Sequence, residues 1–242
     1  YKVKDFDFVD SELVGPKKWV LELCKEIIDR GLDITFGCNG RSDMIDKEVL
    51  RYLKKAGCVS IGYGVESGSQ RVIDEILHKG INLEQTRKVF EMTMRFGIES
   101  HAWFMIGIPG ETWDEMMQTI KYAKTLNAST VEVNIAMPYP GTEFYDICKR
   151  NGWLLVDDFS VYNEKGAIVI ETPYLSRKQV KKGFDIFRES FKKSGWILTK
   201  DGNTLLSKKY LIRKAIKKVI SGEIKREYLS FLKKLITNIM KI

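Results

Sequence analysis

The feature that most constrains the fold is a regular alternation of short β-rich runs with amphipathic helical segments. Strands are expected at residues 6–10, 34–38, 59–63, 99–106, 130–136 and, from a less regular pattern, 167–170. Helices are expected near residues 16–30, 46–56, 69–77, 83–96, 112–126 and 142–150, and again at 176–194. Repeated strand–helix–strand units form parallel sheets with right-handed crossovers. The alternation therefore predicts an α/β fold.

Glycine, proline and charged residues follow the predicted strands and do not precede them. Asp10 ends the first strand, and the later clusters occupy residues 38–41, 64–68, 107–111 and 138–142. The carboxyl ends of strands are where α/β barrels and open α/β sheets bind their ligands. We therefore expect a ligand site at this edge of the sheet.

The net charge of +8 belongs to the C-terminal end of the chain. Residues 1–195 contain 28 Lys and Arg against 29 Asp and Glu, whereas residues 196–242 contain 12 against 3. Two basic amphipathic helices are expected there, near residues 204–220 and 223–241. We favour the interpretation that their apolar stripes cover the flank of the fold. Contact with an anionic membrane surface is the first alternative, and nucleic acid is the weaker one because no base-stacking pattern is present.

Cysteine and histidine are too scattered to predict a metal site. Cys24, Cys38, Cys58 and Cys148 form no C-x-x-C pair, and His78 and His101 are the two histidines. We expect buried, idle thiols, and a packed core position for His101 within its strand. The fingerprints of dinucleotide-binding, phosphate-loop and serine-hydrolase sites are missing from the sequence. No apolar stretch approaches the roughly 20 residues that cross a bilayer, and no signal peptide is evident, so a cytoplasmic protein is expected.

Glu66 and Arg41 each have a functional and a structural interpretation. Glu66 lies between glycines after a strand, where its carboxylate can accept both hydroxyl groups of a ribose. Alternatively, it caps the next helix or pairs with Arg71. Arg41 can bind a ligand carboxylate in bidentate fashion, or it forms a surface ion pair with Asp43.

The turn at residues 107–112 also has two interpretations. Its backbone N–H and C=O groups can border an adenine, or the segment is a tight turn before a helix with Thr112 or Glu111 as its cap. Residues 138–142 are sufficiently explained as a proline-stiffened turn that Thr142 caps.

Taken in order, these segments resemble the radical S-adenosylmethionine superfamily, and within it the branch whose members carry an upstream cobalamin-binding domain. The matching segments are residues 6–10, 38–43, 56–58, 64–69, 106–112 and 138–142. The resemblance covers about residues 1–150 and implies a partial (β/α)6 TIM-like barrel with its first strand missing. Residues 151–195 would be a C-terminal extension with a helix, and residues 196–242 the basic helical tail.

The resemblance also implies which residues bind S-adenosylmethionine. Glu66 would bind the ribose hydroxyls, Arg41 would face the methionine carboxylate, and Asp10 would face the amino group or the substrate. The backbone from Ile106 to Pro109 would border the adenine, and residues 133–136 would line the same side. The full set of expected cofactor-binding residues is Asp10, Arg41, Glu66, Ser67, Ile106, Gly107, Pro109, Asn134 and Ala136.

The family's [4Fe-4S] cluster is held by a C-x-x-x-C-x-x-C motif, which this sequence does not contain. By the resemblance, that motif would precede Tyr1, so residues 1–242 are expected to be inactive alone. The parent protein would form a 5′-deoxyadenosyl radical for C–H activation, ending in methyl transfer, oxidation or rearrangement. The alternative is a cluster-free module that binds a nucleotide-like ligand or a partner protein without turnover. The small-molecule substrate is not predicted.

Overall fold

The structure, a computed structural model, describes residues 3–156, 158–163 and 166–220. The strands are β1 (Asp5–Asp7), β2 (Thr35–Gly40), β3 (Cys58–Glu66), β4 (Glu99–Ile106), β5 (Thr130–Ile135), β6 (Ile197–Leu198) and β7 (Thr204–Leu206). The α-helices are α1 (Lys17–Asp29), α2 (Lys47–Lys55), α3 (Leu83–Arg95), α4 (Trp113–Thr125), α5 (Glu143–Arg150), α6 (Arg177–Lys193) and α7 (Lys208–Ile220). Short 3-10 turns occupy Ser42–Met44 and Phe159–Asn163, and a π-helical turn occupies Val72–Ile76.

The strands form one sheet in the order β1-β2-β3-β4-β5-β7-β6. Strands β1 to β5 are parallel, β7 is antiparallel to β5, and β6 is antiparallel to β7. The parallel order follows the chain order, as successive strand–helix–strand units require. The predicted α/β fold with a helical C-terminal extension is therefore confirmed.

The two faces of the parallel sheet differ in polarity. Side chains such as Phe36, Ile61 and Phe104 are buried on the outer face, where helices α1–α4 and α6 cover them. Alternate residues point to the opposite, inner face. There, a cavity of about 380 Å³ is lined mainly by small or polar residues and three ring side chains: Asp7, Phe8, Val9, Gly37, Cys38, Asn39, Ser60, Gly62, His101 and Trp103. The parallel strands thus bury an apolar layer and leave a polar inner face.

Gly62 is required for this inner face because Trp103 lies across it. A Cβ atom at position 62 would overlap the indole ring of Trp103. Glycine therefore lets the aromatic side chain lie flat against the neighbouring strand.

Three helices begin with side-chain caps at their expected starts. Thr112 and Ser176 each form a capping box, with Glu115 and Gln179 respectively. Thr142 caps α5 by accepting a hydrogen bond from the backbone N–H of Tyr145. These contacts satisfy N–H groups that lack a partner within the helix. They confirm the predicted starts of α4, α5 and α6.

The predictions for the basic tail need correction. The helix expected near residues 204–220 begins instead at Lys208, because Thr204–Leu206 forms strand β7. In the sequence, Leu205 fits the apolar stripe of a helix. The free edge of β5 offers backbone hydrogen bonds instead, and pairing with β5 buries Leu205 completely. The second expected helix, residues 223–241, lies outside the described residues. The division at residues 150 and 195 and the membrane contact of residues 196–242 stay predictions.

Three other boundaries differ from the sequence prediction. Strand β1 ends at Asp7, so Asp10 follows it by three residues and is exposed. The helix expected near residues 69–77 is reduced to the π-helical turn. The strand expected at residues 167–170 forms a single antiparallel bridge, between Leu154 and Ile170. In the part of the chain that the structure describes, no helix is long and apolar enough to cross a membrane.

Candidate functional site

Glu66 lies at the carboxyl end of β3 with a backbone φ of 68°, in the left-handed region that non-glycine residues rarely adopt. Its Oε1 atom is 2.6 Å from Nζ of Lys79, and the two side chains are only 19% and 20% exposed. A Cβ atom at Gly64 would lie 2.5 Å from Glu66 Oε1 and 2.7 Å from Lys79 Nζ. Gly64 therefore makes room for this ion pair. The expected alternative, pairing of Glu66 with Arg71, is wrong.

Lys79 is a site residue that the sequence analysis missed. It reaches Glu66 from a loop in which His78 and Gly80 both have positive φ angles. The Lys79 N–H donates to Ile73 O at 3.0 Å, and Nη2 of Arg41 donates to the Lys79 carbonyl at 2.7 Å. The backbone of Lys79 is thus fixed between two elements. The sequence signal for this role is weak: a lysine directly before a glycine, 13 residues after Glu66.

Arg41 follows β2 and forms a bidentate pair with Asp43, at 3.0 Å from Nε to Oδ1 and 2.9 Å from Nη2 to Oδ2. The expected ion pair is therefore present. The contact with the Lys79 carbonyl places Arg41 next to the Glu66–Lys79 pair, so the structure brings these two predicted site residues to one region. Its expected contact with a ligand carboxylate stays a prediction.

The turn after β4 is built around Glu111, which is fully buried. Its Oε2 accepts hydrogen bonds from the N–H groups of Gly107 at 2.7 Å and Ile108 at 3.2 Å, whereas Oε1 has no partner among the described residues. Burial raises the pKa of Glu111 to about 8. Glu111 thus stabilises the turn through hydrogen bonds to its backbone and does not cap α4. Because two N–H groups of the turn are already used, an adenine bordered by it would have to contact its carbonyls, Pro109 or the edge of β5.

A second carboxylate, Glu115, joins this turn to the segment after β3. Glu115 accepts from Arg71 Nε and Nη2, each at 2.7 Å, and also from Ser69 Oγ at 3.0 Å. The backbone N–H and the hydroxyl of Thr112 donate to it at 2.9 and 2.8 Å. Arg71 Nη2 also donates to Gly110 O at 2.8 Å. The Arg71 hydrogen bonds lower the pKa of Glu115 to about 2, and the two loops are held together through one ionised pair.

The other predicted site residues have internal contacts. Ser67 is buried, and its hydroxyl is 3.1 Å from Thr119 Oγ1. The Ala136 N–H donates to Ile106 O at 2.9 Å and joins the ends of β5 and β4. Asn134 Oδ1 accepts from Asn203 Nδ2 at 2.9 Å. Asp10, on the β1 side, accepts through its carbonyl from Asn39 Nδ2 at 3.1 Å.

The cysteines do not form a metal site. Among the described residues, no group of three or more His, Cys, Asp or Glu side chains is placed to hold a metal ion. All four thiols are buried, and burial raises the pKa of Cys24 to about 12 and that of Cys148 to about 11. An iron–sulfur cluster needs several cysteine thiolates close together, and the four cysteines do not supply such a group. The prediction that the cysteines are buried is confirmed.

His101 differs from its prediction. It lines the inner cavity with Trp103 instead of packing in the hydrophobic core. Its Nδ1 lies 2.6 Å from Thr130 Oγ1, and burial lowers its pKa. Alternation along β4 explains the error, because the neighbours Ser100 and Ala102 are the residues that point into the core.

Comparison with known proteins identifies one family. A protein-family model described as the Radical SAM superfamily matches residues 14–123. An uncharacterized methyltransferase of Pyrococcus horikoshii is 32% identical over 162 residues, which cover 67% of this chain and 35% of that protein. The anaerobic magnesium-protoporphyrin IX monomethyl ester cyclase of Rubrivivax gelatinosus is 29% identical over 161 residues, 65% of this chain and 28% of that protein. The chain spans about a third of the length of these curated relatives.

A solved structure shows the same fold. The radical S-adenosylmethionine methyltransferase TsrM from Kitasatospora setae, solved with cobalamin and a [4Fe-4S] cluster bound, superposes with a TM-score of 0.55 at 17% identity. The superposition covers 84% of this chain and 39% of that one. Family match, relatives and fold agree with the order of the six sequence segments and with their position at the strand ends: this chain belongs to the radical S-adenosylmethionine superfamily.

Proposed function

We propose that this chain is the S-adenosylmethionine-binding part of an enzyme that activates an unreactive C–H bond. The observation that carries the proposal is the Glu66–Lys79 pair at the end of β3, next to Arg41 and flanked by the β4 turn. The names of the relatives, a methyltransferase and a cyclase, support methyl transfer and ring-forming oxidation as outcomes. Rearrangement is the third outcome that the proposal includes.

The charged groups fit the proposed ligand. S-adenosylmethionine carries a ribose diol, a carboxylate, an ammonium and a sulfonium, and it supplies the adenosyl group when bound. Glu66 Oε2 would accept from the ribose hydroxyls while Oε1 stays paired with Lys79, since each carboxylate oxygen can accept more than one hydrogen bond. Arg41 would donate to the carboxylate. The ion pair with Lys79 fixes the orientation of the Glu66 carboxylate at the end of β3.

The other cofactors of the family are not assigned to residues of this chain. The four cysteines are not grouped as a [4Fe-4S] cluster requires, so no reaction step is routed through one on these residues. The proposal places the cluster on a segment outside this sequence. It also includes cobalamin on a further domain, which is supported by the shared fold with a methyltransferase solved with cobalamin bound.

The ribose contact is testable with Glu66→Gln. We expect adenosine to bind this variant about tenfold more weakly than the unaltered chain, because a charged hydrogen-bond acceptor contributes about 1.5–3 kcal/mol. The measurement is isothermal titration calorimetry with adenosine and with 2′-deoxyadenosine. Glu26→Gln, an exposed change of the same charge on α1, is the control and should bind as the unaltered chain does.

The two ligands make the test specific. Removing the 2′-hydroxyl should weaken binding to the unaltered chain but have little further effect on Glu66→Gln, since both changes remove one interaction. Full adenosine affinity in Glu66→Gln, or independent and additive losses, would contradict the proposed ribose contact.

A further inference from the structure

A second cavity lies at the carboxyl end of β5, beside the candidate adenosyl site. Its volume is about 630 Å³, within the range of small-molecule sites. The described residues that line it are Met105, Glu132, Asn134, Ile135, Met137, Tyr139, Tyr162, Gly166, Ala167, Phe184, Asp201, Asn203 and Thr204. Asn134 and Ile135 belong to residues 133–136, which are expected to line the adenine side, so a molecule in this cavity would lie next to the proposed adenosyl ligand.

One wall of the cavity comes from the β6–β7 hairpin. The register of β7 on β5 pairs Thr204 with Glu132, which brings the hairpin turn to the carboxyl end of β5. Asn203 O accepts from the Val133 N–H at 3.2 Å, and Asn203 Nδ2 donates to Asn134 at 2.9 Å. The C-terminal extension therefore supplies part of the cavity, on a turn fixed at both backbone and side chain.

The charged residues of the lining are all acidic. Glu132 and Asp201 are present, and no Lys or Arg occurs among the described lining residues. Although burial opposes it, hydrogen bonds from Thr199 and from the 203–204 backbone hold the pKa of Asp201 below its usual range, so Asp201 is ionised. Arg188 packs its guanidinium over the ring of Phe184, 5.2 Å from the centroid, and is not one of the lining residues. The rest of the lining is largely apolar, with methionine thioethers and aromatic rings.

We propose that this cavity binds the parent enzyme's substrate, and that the substrate is a small molecule with an apolar body and a cationic amine. The statement that the bound molecule is a substrate rests on the proposed function. The preference of the cavity for a cation does not. Glu132 is the selective element, because its Oε1 accepts one hydrogen bond, from Asn134 Nδ2 at 3.0 Å, whereas both carboxylate oxygens of the exposed Asp201 are engaged by its own turn. Two carboxylates that line one cavity favour a cation and repel phosphorylated or carboxylate-bearing molecules.

The test uses three probes that share a phenylethyl body and carry a cationic, a neutral or an anionic head group: phenethylamine, 3-phenylpropanamide and 3-phenylpropionate, titrated into the full chain by calorimetry. We expect the amine to bind at least about tenfold more tightly than the carboxylate, with the amide between them. In Glu132→Gln the amine and carboxylate should differ by no more than about twofold. Glu22→Gln, an exposed change of equal charge on α1, should keep the full preference.

A second variant keeps the proposal testable if Glu132→Gln does not fold. Asn203→Lys retains the backbone contacts of the turn and should reverse the preference in favour of the carboxylate. Equal binding of the amine and carboxylate, no saturable binding of any probe, or a preference that survives both substitutions would overturn the proposal. Adenosine titration of the unaltered chain and of Glu66→Gln reports separately on the proposed function, because that binding is expected to depend on Glu66.

Discussion

Replacing Arg71 with alanine is expected to lower the free energy of unfolding by about 2 kcal/mol. The change leaves the Glu115 carboxylate, whose side chain is only 10% exposed, without its ionic partner and removes the bond to Gly110 O. Complete removal of one member of a buried pair costs about 3–5 kcal/mol, and the value is reduced here because water reaches the Arg71 side. Urea denaturation of both proteins at neutral pH measures the difference.

The pH dependence of this loss identifies its cause. The folded pKa of Glu115, about 2, lies below its ordinary value, so its stabilising effect is complete above about pH 4.5 and disappears as the pH falls through 2. The difference between Arg71→Ala and the unaltered chain should shrink over that interval. Arg87→Ala is the matched control: it removes an arginine with two glutamate partners on the exposed side of α3, and it should have a much smaller effect. Equal losses in the two variants would contradict the role of the buried carboxylate.

Replacing Glu111 with glutamine is expected to stabilise the protein increasingly as the pH rises from 4.5 to 8. Because burial raises the folded pKa to about 8, the folded chain binds a proton that the unfolded chain releases in this interval. Stability therefore falls with rising pH, by up to about 1.4 kcal/mol per pH unit. Glutamine is uncharged throughout, and its carbonyl oxygen can accept from the Gly107 and Ile108 N–H groups as Glu111 does.

The measurement is the difference in free energy of unfolding between Glu111→Gln and the unaltered chain at several pH values. We expect the advantage of the variant to reach about 2–4 kcal/mol near pH 8 and to vanish near pH 4.5. Glu115→Gln is the control with the opposite sign, since it removes an ionised group that stabilises the fold above pH 4.5. A difference for Glu111→Gln that does not change with pH would show that this carboxyl is ionised in the folded protein.

The parallel arrangement of β1 to β5 and the expected ligand edge follow from the sequence because they depend on local patterns. Period-two runs such as residues 99–106 and caps such as Thr112 are determined by neighbours along the chain. The clustering of glycines and charges after the strands then predicts the ligand edge, since parallel strands all end on the same side. No knowledge of side-chain contacts is needed for either step.

The partners of charged side chains could not be predicted in the same way. Arg71 lies five residues after Glu66 and four before Glu75, yet its bidentate partner is Glu115, 44 residues away. Glu66 instead pairs with Lys79, which lies in a loop where His78 and Gly80 have positive φ angles. A positive φ is expected for a glycine but not for a histidine, so the sequence does not predict the shape of this loop. These pairings are decided by how two loops meet after the sheet has formed.

The hairpin escaped prediction for a different reason. Strands of two and three residues, Ile197–Leu198 and Thr204–Leu206, are too short to show an alternating pattern. Leu205 also fits the apolar stripe of the helix that follows. Only the unsatisfied edge of β5 distinguishes the two possibilities, and that edge is a property of the assembled sheet.

The strand order also directs how this sheet can be enlarged. The hairpin occupies the lateral positions beyond β5, and its outermost strand, β6, offers only two residues of backbone. The opposite border is β1, whose register on β2 brings Asp7 next to the inner cavity. A polypeptide segment that extends the sheet would therefore find the longer strand edge at β1. Its side chains would lie beside Asp7 and border the inner cavity.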